Sequence, residues 1–265
     1  MRLAQSLLFV LLCELMFIIP GGLIDIVLTF AFSHLNERVI TLIGFLCSGV
    51  VLMLCLKHFF HNIFLRIKEL MRIDISKLFL LIAVIVITGV LYTMIVFIGL
   101  EFDLVSWKEA PLESTGILSI ISLLLFAFIV TAIKELVFRG ADLSYLLMRL
   151  NPWVSIVIIS ILLSVGHMQY SGILNCLTMF IFGVVASFTV IRTNTLYWAI
   201  GLHCGWNFAN GVNNMYFDLN NKIIPQFGNT FELLRAGLLI LILVSFWLYS
   251  RNQLLQRTAN KTIVE

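Results

Sequence analysis

The sequence predicts an all-α fold, a polytopic membrane bundle of about eight transmembrane helices, and three observations carry that prediction. Hydrophobic residues make up 61% of the 265-residue chain and charged residues only 12%, against ~45–50% and ~25% in ordinary soluble domains. A water-soluble fold has too little interior to hide that much apolar surface. The few charges gather between long uncharged runs, and a run of ~20 apolar residues crosses a ~30 Å hydrocarbon core. Water-soluble function classes are thereby excluded. A net charge of +3 with no dense basic stripe points to no nucleic-acid partner.

The apolar runs fall at 7–32, 40–56, 78–100, 117–138, 153–168, 174–191, 196–210 and 233–249. Pro20-Gly21-Gly22 interrupts the first and is expected to kink or split it. That run begins like a signal peptide, with Met1-Arg2 before apolar residues. Glu14 inside it and the want of a small-residue cleavage site favour a retained first helix. Neither a repeat nor a linker interrupts the chain, which reads as one integral membrane domain, 1–265.

Basic residues set the orientation. With the N-terminus in the cytoplasm, the 57–77 connection (Lys57, Arg66, Lys68, Arg72, Lys77) falls inside, with Arg139, Arg149, Arg192 and the C-terminal tail. Twelve of the 17 basic residues then lie inside, against Arg38, Lys108, Lys222 and a membrane-edge Arg235 outside. The positive-inside rule is satisfied and both termini are expected in the cytoplasm. An acidic 101–113 stretch falls outside. Within 57–77, residues 58–75 interleave apolar and basic groups, which suits either a helix lying on the inner surface or a solvated basic loop.

The five cysteines sit inside apolar runs, odd in number and without CxxC spacing, so they read as small buried residues. Chemistry is sought where ionisable side chains enter the spans, because hydrocarbon makes them costly. Glu14 and Asp25 do so in the first half. The second half is denser, with Lys134, Glu135 and Arg139 closing the fourth span, His167 in the fifth, and His203 and Asn207 in the seventh. Glu135 and Arg139 are i and i+4, acid before base, on one helix face. Taken alone they read as an ion pair near the cytoplasmic end, with Arg139 reaching toward headgroups. His203 and Asn207 lie one turn apart and project together. Gly201 and Gly205, at small-xxx-small spacing, allow another helix close approach. Cys204 is turned about 100° from His203, which argues against a Cys–His dyad, and no H-E-x-x-H zincin motif occurs.

KELVFRG (134–140), LSVGH (163–167) and LYWAIGLHCGWNF (196–208) resemble, in order and spacing, the three motifs of the CPBP family. That family contains the type II CAAX prenyl endopeptidases and Abi-like proteins of bacteriocin processing or self-immunity. Its motifs are E-E-x-x-x-R, F-x-x-x-H and H-x-x-x-N, and the resemblance spans roughly 115–210. It implies amide hydrolysis inside a membrane by a glutamate-activated water, with a membrane-associated or prenylated peptide as substrate. A bacterial plasma membrane is the implied setting, with lipid as the other partner.

Residue by residue, the resemblance assigns Glu135 to the second glutamate, Arg139 to the arginine, His167 to the second motif, and His203 and Asn207 to the third. It makes Glu135, His167, His203 and Asn207 the expected catalytic set, with Lys134 and Arg139 supporting. No cofactor is expected: zinc would need a carboxylate beside His167 and His203. Leu163 replaces the second-motif Phe. Lys134 replaces the first glutamate, the position given the water-activating role. Three outcomes follow: Glu135 takes over as base after a helix rotation of about 100°, Lys134 itself is the base, or hydrolysis is lost and the fold binds a peptide or membrane-protein partner in self-immunity or regulation. A depth mismatch is also expected, with Glu135 near the inner end of its span and His167 near the outer end of its own.

Overall fold

The computed structural model describes residues 2–31, 36–108, 116–167, 172–219, 223–224 and 228–262. They form an all-α membrane bundle. In order the helices are α1 (Arg2–Ala31), α2 (Glu37–Phe59), α3 (His61–Leu70), α4 (Ile75–Glu101), α5 (Ile117–Glu135), α6 (Leu143–Leu147), α7 (Pro152–Gly166), α8 (Gly172–Thr193), α9 (Tyr197–Tyr216) and α10 (Phe231–Thr262). A π-helical segment, Leu136–Asp142, joins α5 to α6. Two short antiparallel ribbons complete the described residues, β1 (Ser106–Trp107) with β2 (Phe217–Asp218), and β3 (Ile223–Ile224) with β4 (Gly228–Asn229).

Each of the eight expected runs coincides with a helix, but among the described residues only six helices are long and apolar enough to cross a membrane by length and composition. The two others differ for separate reasons. α7 has 15 residues, about 22 Å of rise, and stops short of a full crossing. α9 has 20 residues but carries His203, Asn207, Asn210, Asn213 and Asn214. It tolerates them because it is the inner helix, packed against α4, α5 and α8. Outward residues of the other helices remain apolar and exposed, as in Ile18, Phe30, Phe79 and Leu118. Lipid solvates such residues, so packing and polar contacts rather than water exclusion hold the helices together.

Glycines set the closest seams. A Cβ on Gly201 would stand 2.8 Å from Val84, and one on Gly205 would stand 2.9 Å from Thr88 Cβ, so α4 lies directly on α9. At Gly183 a Cβ would meet Ser160 Cα at 2.7 Å, which brings α8 equally close to α7. α1 is not split: it runs as one helix through Pro20.

The 57–77 connection forms the shorter α3, which buries Ile63, Ile67 and Leu70 against the bundle. Arg66 reaches Glu69 and Asn194, tying α3 to the α8–α9 turn. Asn194 has φ of 53°, a left-handed conformation that asparagine tolerates. Arg235 is not an edge charge, since its side chain is only 12% exposed. Phe32, Glu109, Glu113, Met168 and Lys222 lie outside the described residues.

Candidate active site

The fourth span ends at Leu147 rather than Phe138, because the chain continues helically through the π segment into α6. That extension removes the expected depth mismatch. Glu135 lies 12 residues before Leu147, about 18 Å of rise, and His167 lies 15 residues after Pro152, about 22 Å. Since α6 and α7 are joined by a short turn, both residues sit at similar depth. π-helical turns widen the local ladder and recur at functional sites. Here the segment carries Arg139 into the interior, beside Gly140, where a Cβ would come within 3.2 Å of Ile67.

The Glu135 carboxylate is buried at the meeting of α5, α8 and α9. Its Oε1 accepts from His203 Nδ1–H at 2.7 Å and from Arg139 Nη1 at 3.1 Å. Arg139 is fully buried and does not reach toward headgroups. Its Nη2 lies 3.4 Å from the Gly183 carbonyl, so the guanidinium bridges α8 and the carboxylate. One turn along, Asn207 Nδ2 lies 3.4 Å from Thr131 Oγ1. Thr131 and Glu135 on α5 thus face Asn207 and His203 on α9, two i,i+4 pairs read in opposite directions. The Phe182 ring stands edge-on to His203 at 5.0 Å and holds the imidazole from the α8 side.

Those contacts spend His203 Nδ1 and Glu135 Oε1. They leave His203 Nε2, and Glu135 Oε2 makes no hydrogen bond to the described residues. With Nδ1–H donating to the carboxylate, a neutral His203 ring carries its free lone pair on Nε2.

Glu135 already faces α9, so no helix rotation is required. Its neighbour points elsewhere: Lys134 Nζ lies over the Phe45 ring of α2, 5.4 Å from the centroid. His167 caps α7. Its Nδ1 is 2.8 Å from the Leu163 carbonyl, and its own carbonyl accepts from Asn175 Nδ2 at 3.2 Å.

The geometry supplies too few ligands for a zinc ion: His203 Nε2 and Glu135 Oε2 are the atoms left over from the Glu135–His203–Arg139 contacts. Among the described residues, no three His, Cys, Asp or Glu side chains converge with metal-holding geometry.

Sequence reasoning missed Thr131 and the Gly183 carbonyl. Thr131 was within reach of it, one turn before Glu135 on the same face. No signal marks Gly183. A second buried polar centre was missed as well. Arg235 on α10 pairs with Glu232, Tyr92 Oη and Asn210 Oδ1, and Tyr92 Oη donates to Asn210 Oδ1 at 2.7 Å.

Helices α5 to α9 have a counterpart among known proteins. Residues 116–209 match the family model of type II CAAX prenyl endopeptidase Rce1-like proteins. The match covers about a third of the chain and contains all six residues Lys134, Glu135, Arg139, His167, His203 and Asn207. This part of the integral, multi-pass membrane protein is therefore similar to the CAAX-protease type. No curated protein matches the chain.

Proposed function

We propose that the protein is an intramembrane peptide hydrolase in which Glu135 acts through His203. The observation that carries this reading is the 2.7 Å hydrogen bond from His203 Nδ1 to Glu135 Oε1. A carboxylate already accepting from an arginine and an imidazole is held ionised and oriented, which suits it to fix a histidine tautomer. His203 Nε2 is then the proton acceptor. Water gives a proton to Nε2 as its oxygen bonds to the scissile carbonyl carbon, and Asn207 Nδ2–H meets the resulting oxyanion. Collapse breaks the C–N bond, and the proton on Nε2 passes to the leaving amine. His167, the histidine of the second motif, helps to orient the water. Lys134, turned toward α2, takes no part in proton transfer.

The substrate class follows the family match: a membrane-associated peptide, prenylated or otherwise anchored. Chain orientation follows the charges, with Lys57, Arg66, Lys68, Arg149 and Arg192 at the cytoplasmic end and both termini inside. The whole chain acts as one membrane domain, and no cofactor is required.

In proteoliposomes the full-length chain is expected to cleave a prenylated peptide ending in a CAAX-type sequence. His203→Ala lowers the rate by about 10²–10⁴. Equal rates for the two proteins remove His203 from the mechanism. A second reading rests on Lys134, which stands where the family has its first glutamate. Here the chain binds a peptide or membrane protein in self-immunity or regulation and hydrolyses nothing. Wild type inactive and Lys134→Glu active is the outcome that selects it.

A further inference from the structure

A second feature lies on the opposite side of α5. Between α2 and α5 runs an apolar groove of about 400 Å³, with Leu46, Val50 and Leu54 along one wall, Ile133 along the other, and Phe64 of α3 closing one end beside Lys57. Its floor is the close approach of the two helices at Gly49, where a Cβ would stand 3.2 Å from Ile133 Cγ2. From Leu46 to Lys57 the groove follows α2 for about 16 Å, which is half of a ~30 Å hydrocarbon core. That is the depth of one leaflet. A transmembrane helix from a second copy needs the full thickness, and the groove does not offer it.

The mouth has the opposite chemistry. Lys57 lies at the last turn of α2, and Lys68 Nζ lies 6.0 Å from the Phe64 ring centroid. Lys57 lines the groove together with Phe64, and Lys68 stands over that ring, so two basic side chains belong to this end of the groove. Both side chains are exposed. Among the described residues neither has an ion-pair partner, whereas the nearby Arg66 is taken by Glu69. An apolar slot one leaflet deep with two unpaired cations at its interfacial end complements a molecule with a hydrocarbon chain below and an anionic group above.

We infer that the α2–α5 groove is a binding site for an anionic phospholipid, its acyl chain lying along Leu46–Leu54 and its phosphate between Lys57 and Lys68. The site is independent of hydrolysis. It has a route to the catalytic region all the same, because the lipid chain packs on Ile133, next to Lys134 and Glu135.

The test uses the full-length chain carrying Leu54→Trp, an exposed groove position, in phosphatidylcholine vesicles. Brominated phosphatidylglycerol is titrated in, and quenching is read as the difference from the parent, which has five tryptophans of its own. Saturable quenching by the brominated anionic lipid is expected, well above that by brominated phosphatidylcholine. Lys57→Glu with Lys68→Glu should shift the midpoint by about thirtyfold, the loss of two interfacial cations. Arg72→Glu with Lys77→Glu, equal in charge but off the groove, should shift it less than about twofold. If the first pair fails to fold by circular dichroism, Lys57→Gln with Lys68→Gln should give a smaller shift in the same direction. Equal quenching by the two lipids, or equal shifts for the two charge-reversed pairs, overturns the proposal. So does efficient disulfide cross-linking between copies through Leu54→Cys, which assigns the groove to a dimer.

Discussion

The inner helix α9 touches two buried arginine–carboxylate centres, and they differ in what they leave open. At Glu135, an i,i+4 arginine and an imidazole share one carboxylate oxygen, and Asn207 lies one turn from His203 on the same face of α9. At Glu232, an i,i+3 arginine instead meets a phenol and an amide, Tyr92 and Asn210. The first centre contains an imidazole, the side chain whose ordinary pKa lies nearest neutrality. The second contains none, and its contacts run between α4, α9 and α10. Buried charge alone does not mark a reactive site: the difference lies in whether an ionisable neutral base is left with a free face.

The largest test of that contrast compares two asparagines three residues apart. Asn207→Ala is expected to reduce peptide cleavage by about 10²–10³, the loss of one oxyanion donor. Asn210→Ala should leave the rate per folded molecule within about twofold. Equal losses erase the distinction between the centres.

Next in size is stability. Arg235→Met strands the Glu232 carboxylate, which is 2% exposed, and breaking a buried pair in this way costs about 3–5 kcal/mol. Unfolding midpoints in mixed micelles measure it, and the folded fraction should keep its activity. A variant that folds normally but fails to cleave moves Arg235 into the reaction.

The two centres were not equally legible in the sequence. His203, Asn207, Glu135 and Arg139 stand within single helical turns, so spacing alone puts each pair on a face. The Arg235 centre draws on α4, α9 and α10, up to 143 residues apart in the chain, and Arg235 near the start of an apolar run reads as an edge charge. Helix positions were likewise plain from apolar runs. The extent of the fourth span was not, because nothing in LVFRGAD announces a π-helical turn, and ending the helix at Phe138 misplaced Glu135 in depth. α9 was counted as an ordinary span, although its asparagines belong to an inner helix.

The smallest effect serves as a control outside both centres. Arg66 holds the Glu69 carboxyl below its ordinary value through a hydrogen bond and its charge, with help from Asn194. A lowered folded-state value means that this tie is fully present above the ordinary glutamate pKa of ~4.3 and is lost as pH falls through the lowered one. Amide exchange in α3 should accelerate only below about pH 4, with the two buried centres unchanged. Acceleration between pH 5 and 7 contradicts that assignment.

The most direct measurement is ¹⁵N imidazole NMR of His203 in the folded, membrane-reconstituted chain at neutral pH. A proton on Nδ1 and an unprotonated Nε2, giving way to a mixture of tautomers in Glu135→Gln, is the expected result. A proton on Nε2 in the wild type, unchanged by that substitution, contradicts the Glu135–His203 pairing on which the proposed chemistry stands.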